Sequence, residues 1–256
     1  MNPVSQAFDL FLNRSKNFVF PPFAQLALAL SFLLAFIGLY FIISGIFGML
    51  NILPGNAYII ALGVVSLIYI ILLSGIKGAW VKGIIDALEG RRIKLYNYIR
   101  FSVSKALPLF GIILIKFILL LILFSPLIYL YITNSDLLSS QTTVIALALI
   151  YLIIVFFVEY LFYLAFPIYV AFERSFISSI VSSFNLSIRH VTKFLPLFIL
   201  MGFVFLTNFI PIVNLITYFM LYPIVYSAFL IQLAAYESEL SVQHVKKKPS
   251  YKGRRR

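Results

Sequence analysis

Six stretches of this chain are apolar for long enough to cross a bilayer, and that limits its fold more than any other feature. A helix needs roughly 20 apolar residues to span ~30 Å of hydrocarbon. Such runs lie near residues 22–49, 57–76, 106–132, 143–171, 194–209 and 213–236. The last two share one run too long for a single crossing, and Asn208, Pro211 and Asn214 supply a turn in its middle. Composition points the same way. The chain is 62% hydrophobic, and its 20 Lys and Arg with 8 Asp and Glu are too few to coat a water-soluble fold of 256 residues. The expected fold is all-α and polytopic. One transmembrane helical domain covers residues 1–245, built as three pseudo-repeated hairpins with interfacial amphipathic helices, and a disordered basic tail covers 246–256.

Charge placement gives an orientation. With six spans, Arg14 and Lys16, the group from Lys77 to Lys105, the group Arg174, Arg189 and Lys193, and the basic tail all fall on one side. The opposite loops, 51–56, 133–142 and 207–214, hold one charge, Asp136. The positive-inside rule then predicts a multi-pass cell-membrane protein with both termini cytoplasmic. Residues 1–17 carry Asp9, Arg14 and Lys16 without the basic-then-apolar order of a signal peptide, so the first segment is expected to stay on the mature protein.

An internal repeat supports the hairpins. Residues 95–110 read LYNYIRFSVSKALPLF and residues 183–198 read SFNLSIRHVTKFLPLF, with a fainter copy, KNFVFPPF, at 16–23. Each copy precedes a span that enters from the basic side. A lysine there anchors at the headgroups, and a proline in the first helical turn loses no hydrogen bond. An amphipathic interfacial helix is expected before each of these entries, and two show a clear stripe. Val4, Ala7, Phe8, Phe11 and Leu12 form one apolar stripe, and Phe176, Ile180, Phe184 and Ile188 form another. Two readings of them stay open: linkers on the membrane surface, or gates and docking surfaces.

Two charges fall inside spans. Lys116 lies ~15 Å and Glu159 ~18 Å from the cytoplasmic ends of their spans at ~1.5 Å per residue, so an intramembrane ion pair is expected. It reads either as a clamp between helices or as part of a proton- or ion-coupled site. Gln25 and Gln232 are candidates for a polar pathway beside it. Gly75, Gly78 and Gly83 read as a close-packing face, and Tyr58 and Tyr131 as interface anchors.

Enzyme chemistry finds no foothold. The sequence has no cysteine, two histidines (His190 and His244), and no zinc-protease, serine-elbow or phosphate-loop motif. No catalytic residue, metal ligand or cofactor is expected. The tail residues Lys246, Lys247, Lys248, Lys252, Arg254, Arg255 and Arg256 suit attraction to anionic headgroups. Contact with nucleic acid or an acidic protein partner is the alternative, without an aromatic platform for base stacking.

The segment from Pro167 to Phe198, PIYVAFERSFISSIVSSFNLSIRHVTKFLPLF, resembles a family of uncharacterised archaeal and bacterial six-span membrane proteins. That family includes the membrane region attached to some glycerophosphodiester phosphodiesterases. Glu173 closing a span, a Ser-rich helix and a lysine-proline entry carry the likeness; the phosphodiesterase domain is absent, so no hydrolase activity is implied. Size, span count and basic side are also similar to the polytopic membrane subunit of the crenarchaeal DNA-import (Ced) system, which implies a separate ATPase as partner. The functional expectation is a non-enzymatic channel or scaffold subunit of a membrane transport assembly, with DNA import as one role. An autonomous ion- or proton-coupled carrier using Lys116 and Glu159, and a lipid-binding or membrane-shaping protein, stay as alternatives.

Overall fold

The protein is all-helical among the described residues, with no strand. The structure, a computed structural model, describes residues 2–49, 56–91, 94–133, 141–172, 174–206 and 217–236. The tail from Lys246 to Arg256, the expected turn at 208–214, Asp136, Glu173 and His244 lie outside the described residues, as do the side chains of Tyr58 and Tyr131. Helices follow from the solvent, since hydrocarbon offers no partner for a backbone N–H or C=O and a helix satisfies its own. In chain order they are α1 (Pro3–Asn13), α2 (Ser15–Met49), α3 (Asn56–Leu88), α4 (Leu95–Ser104), α5 (Ala106–Thr133), α6 (Gln141–Phe162), α7 (Ala165–Phe172), α8 (Phe176–Arg189) and α9 (Val191–Leu206). A π-helical turn, Thr217–Leu221, then leads into α10 (Tyr222–Ala234). Among the described residues five segments are long and apolar enough to cross a membrane, and α8 with α9 makes a sixth if that pair, bent by 105°, counts as one span.

Two differences from the sequence expectation matter. The second span does not stop at residue 76, because α3 continues to Leu88 and carries Lys77, Lys82 and Asp86 on the helix. It ends in a Schellman motif: Gly90, with φ 73°, lets the Arg91 N–H reach the Asp86 carbonyl at 2.8 Å. Arg14 adds a cap by donating to the Leu88 carbonyl at 2.6 Å. The described part of the fifth expected span, 194–209, is α9 to Leu206, and residues 207–209 lie outside the described residues. The proline rule also holds less widely than the repeat suggests: Pro108 sits in the first turn of α5, whereas Pro21, Pro22 and Pro196 lie inside their helices.

The repeat has a structural counterpart. α1 and α2 meet at Arg14, α4 and α5 at Lys105, and α8 and α9 at His190, each a one-residue break at a basic or imidazole side chain. Backbone angles at the three breaks are alike, with φ −133°, −106° and −119° and ψ 31°, 3° and 39°.

The apolar stripes are not simply laid on a surface. α1 packs against α10, burying Ala7 and Phe11, while Phe8 and Leu12 stay exposed. In α8 the buried face is the serine face: Ser179, Ser182, Ser183 and Ser187 are all at most 2% exposed, whereas Ile177, Val181 and Ile188 point outward. Toward neighbouring segments, Ser182 and Ser183 use their hydroxyls and Ser187 its carbonyl, while the Ser187 hydroxyl is buried without a partner among the described residues. Ser183 donates to the Leu161 carbonyl, Ser182 Oγ accepts from Arg174 at 3.0 Å, and the Ser187 carbonyl accepts from the Tyr160 hydroxyl at 2.7 Å. Ile180 and Leu186 are buried on the same side, so the inward face of α8 mixes serines with apolar groups while Ile177, Val181 and Ile188 face outward.

Close approach of α3 to its neighbours uses the glycines. A Cβ at Gly75 would lie 1.9 Å from the Ser102 carbonyl oxygen, one at Gly78 2.1 Å from Leu109 Cδ1, and one at Gly83 2.8 Å from Pro21. The buried residues concentrate where α3, α7, α8 and α10 meet, around Trp80, Ile84, Ile168, Leu186 and Phe229.

Candidate functional site

Pro167 prepares the site from a distance. It has no N–H to offer the Tyr163 carbonyl, and its ring crowds that carbonyl, so the helix breaks at Tyr163 and Leu164 between α6 and α7. The break leaves Glu159 one turn before the bend and Phe166 just after it. Pro223 has the same relation to Phe219, and the chain there takes the π-helical turn that precedes α10. Two proline-disturbed helices therefore border the same space.

That space is a cavity of about 110 Å³ lined by Lys77, Lys116, Glu159, Tyr163, Tyr222 and Tyr226, with Ile112, Ile113, Phe162 and Phe166 completing the wall. Lys116 Nζ donates to Glu159 Oε1 at 2.7 Å. The pair is not sealed, since its side chains keep 24% and 43% of their surface accessible. The third charge is Lys77. It lies ~17 Å from the Leu88 end of α3 at ~1.5 Å per residue, close to the depth of the other two. Its ammonium stands 5.1 Å from the centre of the Phe166 ring, within the field of both Lys116 and Glu159. Lys77 lines the cavity and is exposed.

Aromatic packing holds the other wall. Trp80 lies 4.9 Å from Tyr222 and 4.7 Å from Tyr226, ring centre to ring centre, and Tyr163 lies 4.4 Å from Phe229. The Tyr163 hydroxyl and Trp80 Nε1 are buried with no hydrogen-bond partner among the described residues. A buried donor without a partner is costly, so the Tyr163 hydroxyl on the cavity wall is suited to a polar guest. Polar groups break up a mainly apolar wall, and the cavity has room for several waters. Besides the tyrosines, its ionisable groups are two lysine amines and one carboxyl.

The sequence candidates are thus only partly assembled. Lys116 and Glu159 meet, while Gln25 on α2 and Gln232 on α10 are half-buried and do not line this cavity. Sequence reading placed Lys77 in a cytoplasmic loop and gave Tyr163, Tyr222 and Tyr226 no role. One signal for Lys77 was present: Gly78, Ala79, Trp80 and Val81 follow it, so the apolar run does not end at the lysine. Among the described residues no three His, Cys, Asp or Glu side chains gather as a metal site. Comparison with family models, with characterised proteins and with solved structures finds no match for this chain.

Proposed function

We propose that this chain is an ion-coupled membrane carrier that binds a small anion in the cavity between Lys77 and Lys116. One observation carries the reading: a second ammonium faces the cavity at the depth of an ion pair that has only one carboxylate to offer. An uncompensated charge at that depth is expensive, and an anion is the group that offsets it. The volume of about 110 Å³ suits an ion of the size of chloride, nitrate or acetate.

Glu159 supplies the coupling. While ionised, it holds Lys116 at 2.7 Å. When it takes a proton, Lys116 is released and both ammoniums face the anion. One proton and one anion then enter the site together, and the charge of the loaded cavity is unchanged. The carrier works in the cell membrane with both termini cytoplasmic, by the asymmetry of Lys and Arg. A subunit role in a transport assembly, DNA import included, draws support from the basic side alone, and no group in the cavity adds to it.

The test is flux from liposomes containing the purified chain and loaded in turn with chloride, nitrate and acetate. At least one anion should leave faster than from empty liposomes, and faster when the receiving side is made alkaline. Lys77→Met should abolish the flux, and Glu159→Gln should keep flux while removing its dependence on the pH gradient. Equal flux from wild type and Lys77→Met, or none above empty liposomes, contradicts the carrier.

A further inference from the structure

A second polar region lies apart from the central cavity, toward the basic ends of the helices. One pocket of about 50 Å³ is lined by Lys82, Phe101, Lys105, Tyr169, Val170 and Arg174. Its neighbour, of about 300 Å³, is lined in part by Lys82, Asp86, Arg91, Lys94, Asn97 and Phe101. Lys82 and Phe101 belong to both, so the two form one groove along α4. We infer that this groove binds the phosphate of an anionic phospholipid headgroup.

Charge is the first reason. Among the described residues five cations line the groove, from α3, the α3–α4 connection, the Lys105 break and the α7–α8 connection, and Asp86 is the one carboxylate. Asp86 is already engaged by Lys82 at 3.0 Å and by Arg91 at 4.0 Å. Neither Lys94 nor Lys105 has a carboxylate within 4 Å among the described residues. Arg174 is 7% exposed and its guanidinium is fixed by the Ser182 hydroxyl, so its position is set before any ligand arrives. A planar guanidinium with flanking ammoniums is the arrangement that recognises phosphate oxygens.

The apolar flank of α4 is the second reason, and it selects lipid over a soluble phosphate. Lys94, Asn97 and Phe101 face the groove at helical spacing, while Leu95, Ile99 and Val103, with Leu107 on α5, form an exposed apolar strip beside it. A headgroup in the groove places its acyl chains along that strip. Basic pockets between transmembrane helices on the cytoplasmic side are suited to anionic headgroups on the same physics.

The experiment compares the melting temperature of the detergent-purified, delipidated chain with phosphatidylglycerol, phosphatidylcholine or inorganic phosphate added. Phosphatidylglycerol should raise it by several degrees and the other two should not. The double variant Lys94→Gln/Lys105→Gln should lose that rise while melting like wild type without lipid, and Lys94→Arg/Lys105→Arg should keep it. Equal protection by inorganic phosphate would reassign the groove to a soluble ion and overturn the lipid. No rise, an equal rise with phosphatidylcholine, or a full rise in the glutamine variant would overturn the site.

Discussion

Lys77 and Lys116 carry the same charge at nearly the same depth, yet only Lys116 stands within salt-bridge distance of Glu159. The ion pair was legible in sequence because depth along two antiparallel spans follows from residue counting. Lys77 was not, because a lysine after a long apolar run reads equally as the end of the span, and only tertiary packing tells the two apart. The pair makes a quantitative prediction. Glu159→Ala should destabilise the folded protein in detergent by about 1–3 kcal/mol, between the values for exposed and buried pairs. The exchange Lys116→Glu with Glu159→Lys should recover much of that loss. If the exchange melts no higher than the single variant, the two side chains do not act as a mutual pair.

At the scale of elements, two features of the sequence were read in the right place, the second with its sense left open. The glycines of α3 pack as their spacing suggested, and their effects should differ by position. Gly75→Ala drives a Cβ against a backbone carbonyl of α4 and should cost about 1–3 kcal/mol or more in unfolding. Gly63→Ala meets nothing within 4 Å and should change stability by less than about 1 kcal/mol. The α8 periodicity was visible too, but a stripe of apolar residues does not say which solvent it faces. In α8 the stripe residues Phe176, Ile180 and Phe184 pack inward, Ile188 is exposed, and the serines share the interior. Ser183→Leu therefore should destabilise the protein by about 1–3 kcal/mol through overpacking against α6, read by the same unfolding assay. A neutral result would return the serine face to the surface.

For the whole molecule, the bilayer as solvent made most of the architecture readable, because a span announces itself by length and apolarity. What escaped was the breakage of spans. Pro167 and Pro223 mark where α6–α7 and the approach to α10 deviate, but a proline within a membrane helix is compatible with either a gentle kink or a break. The cavity exists because these breaks fall beside Glu159 and Tyr222, a coincidence of three dimensions that no spacing along the chain displays. Orientation belongs to this scale as well. Reporters fused at Asn134 and after Arg256 should lie on opposite sides of the membrane, with the one after Arg256 cytoplasmic; both on one side would reject the six-span arrangement.

The central claim is that the cavity is hydrated and electropositive, and the absence of any cysteine allows it to be probed without background. The measurement is the labelling rate of Ile113→Cys, on the cavity wall, against Leu121→Cys, on the exposed apolar face of α5, in native-like membranes. Charged thiosulfonate reagents of either sign serve as probes. Ile113→Cys should react, Leu121→Cys should not, and the negatively charged reagent should be the faster of the two. An Ile113→Cys thiol that is inert to both reagents, or faster with the positive one, would contradict it.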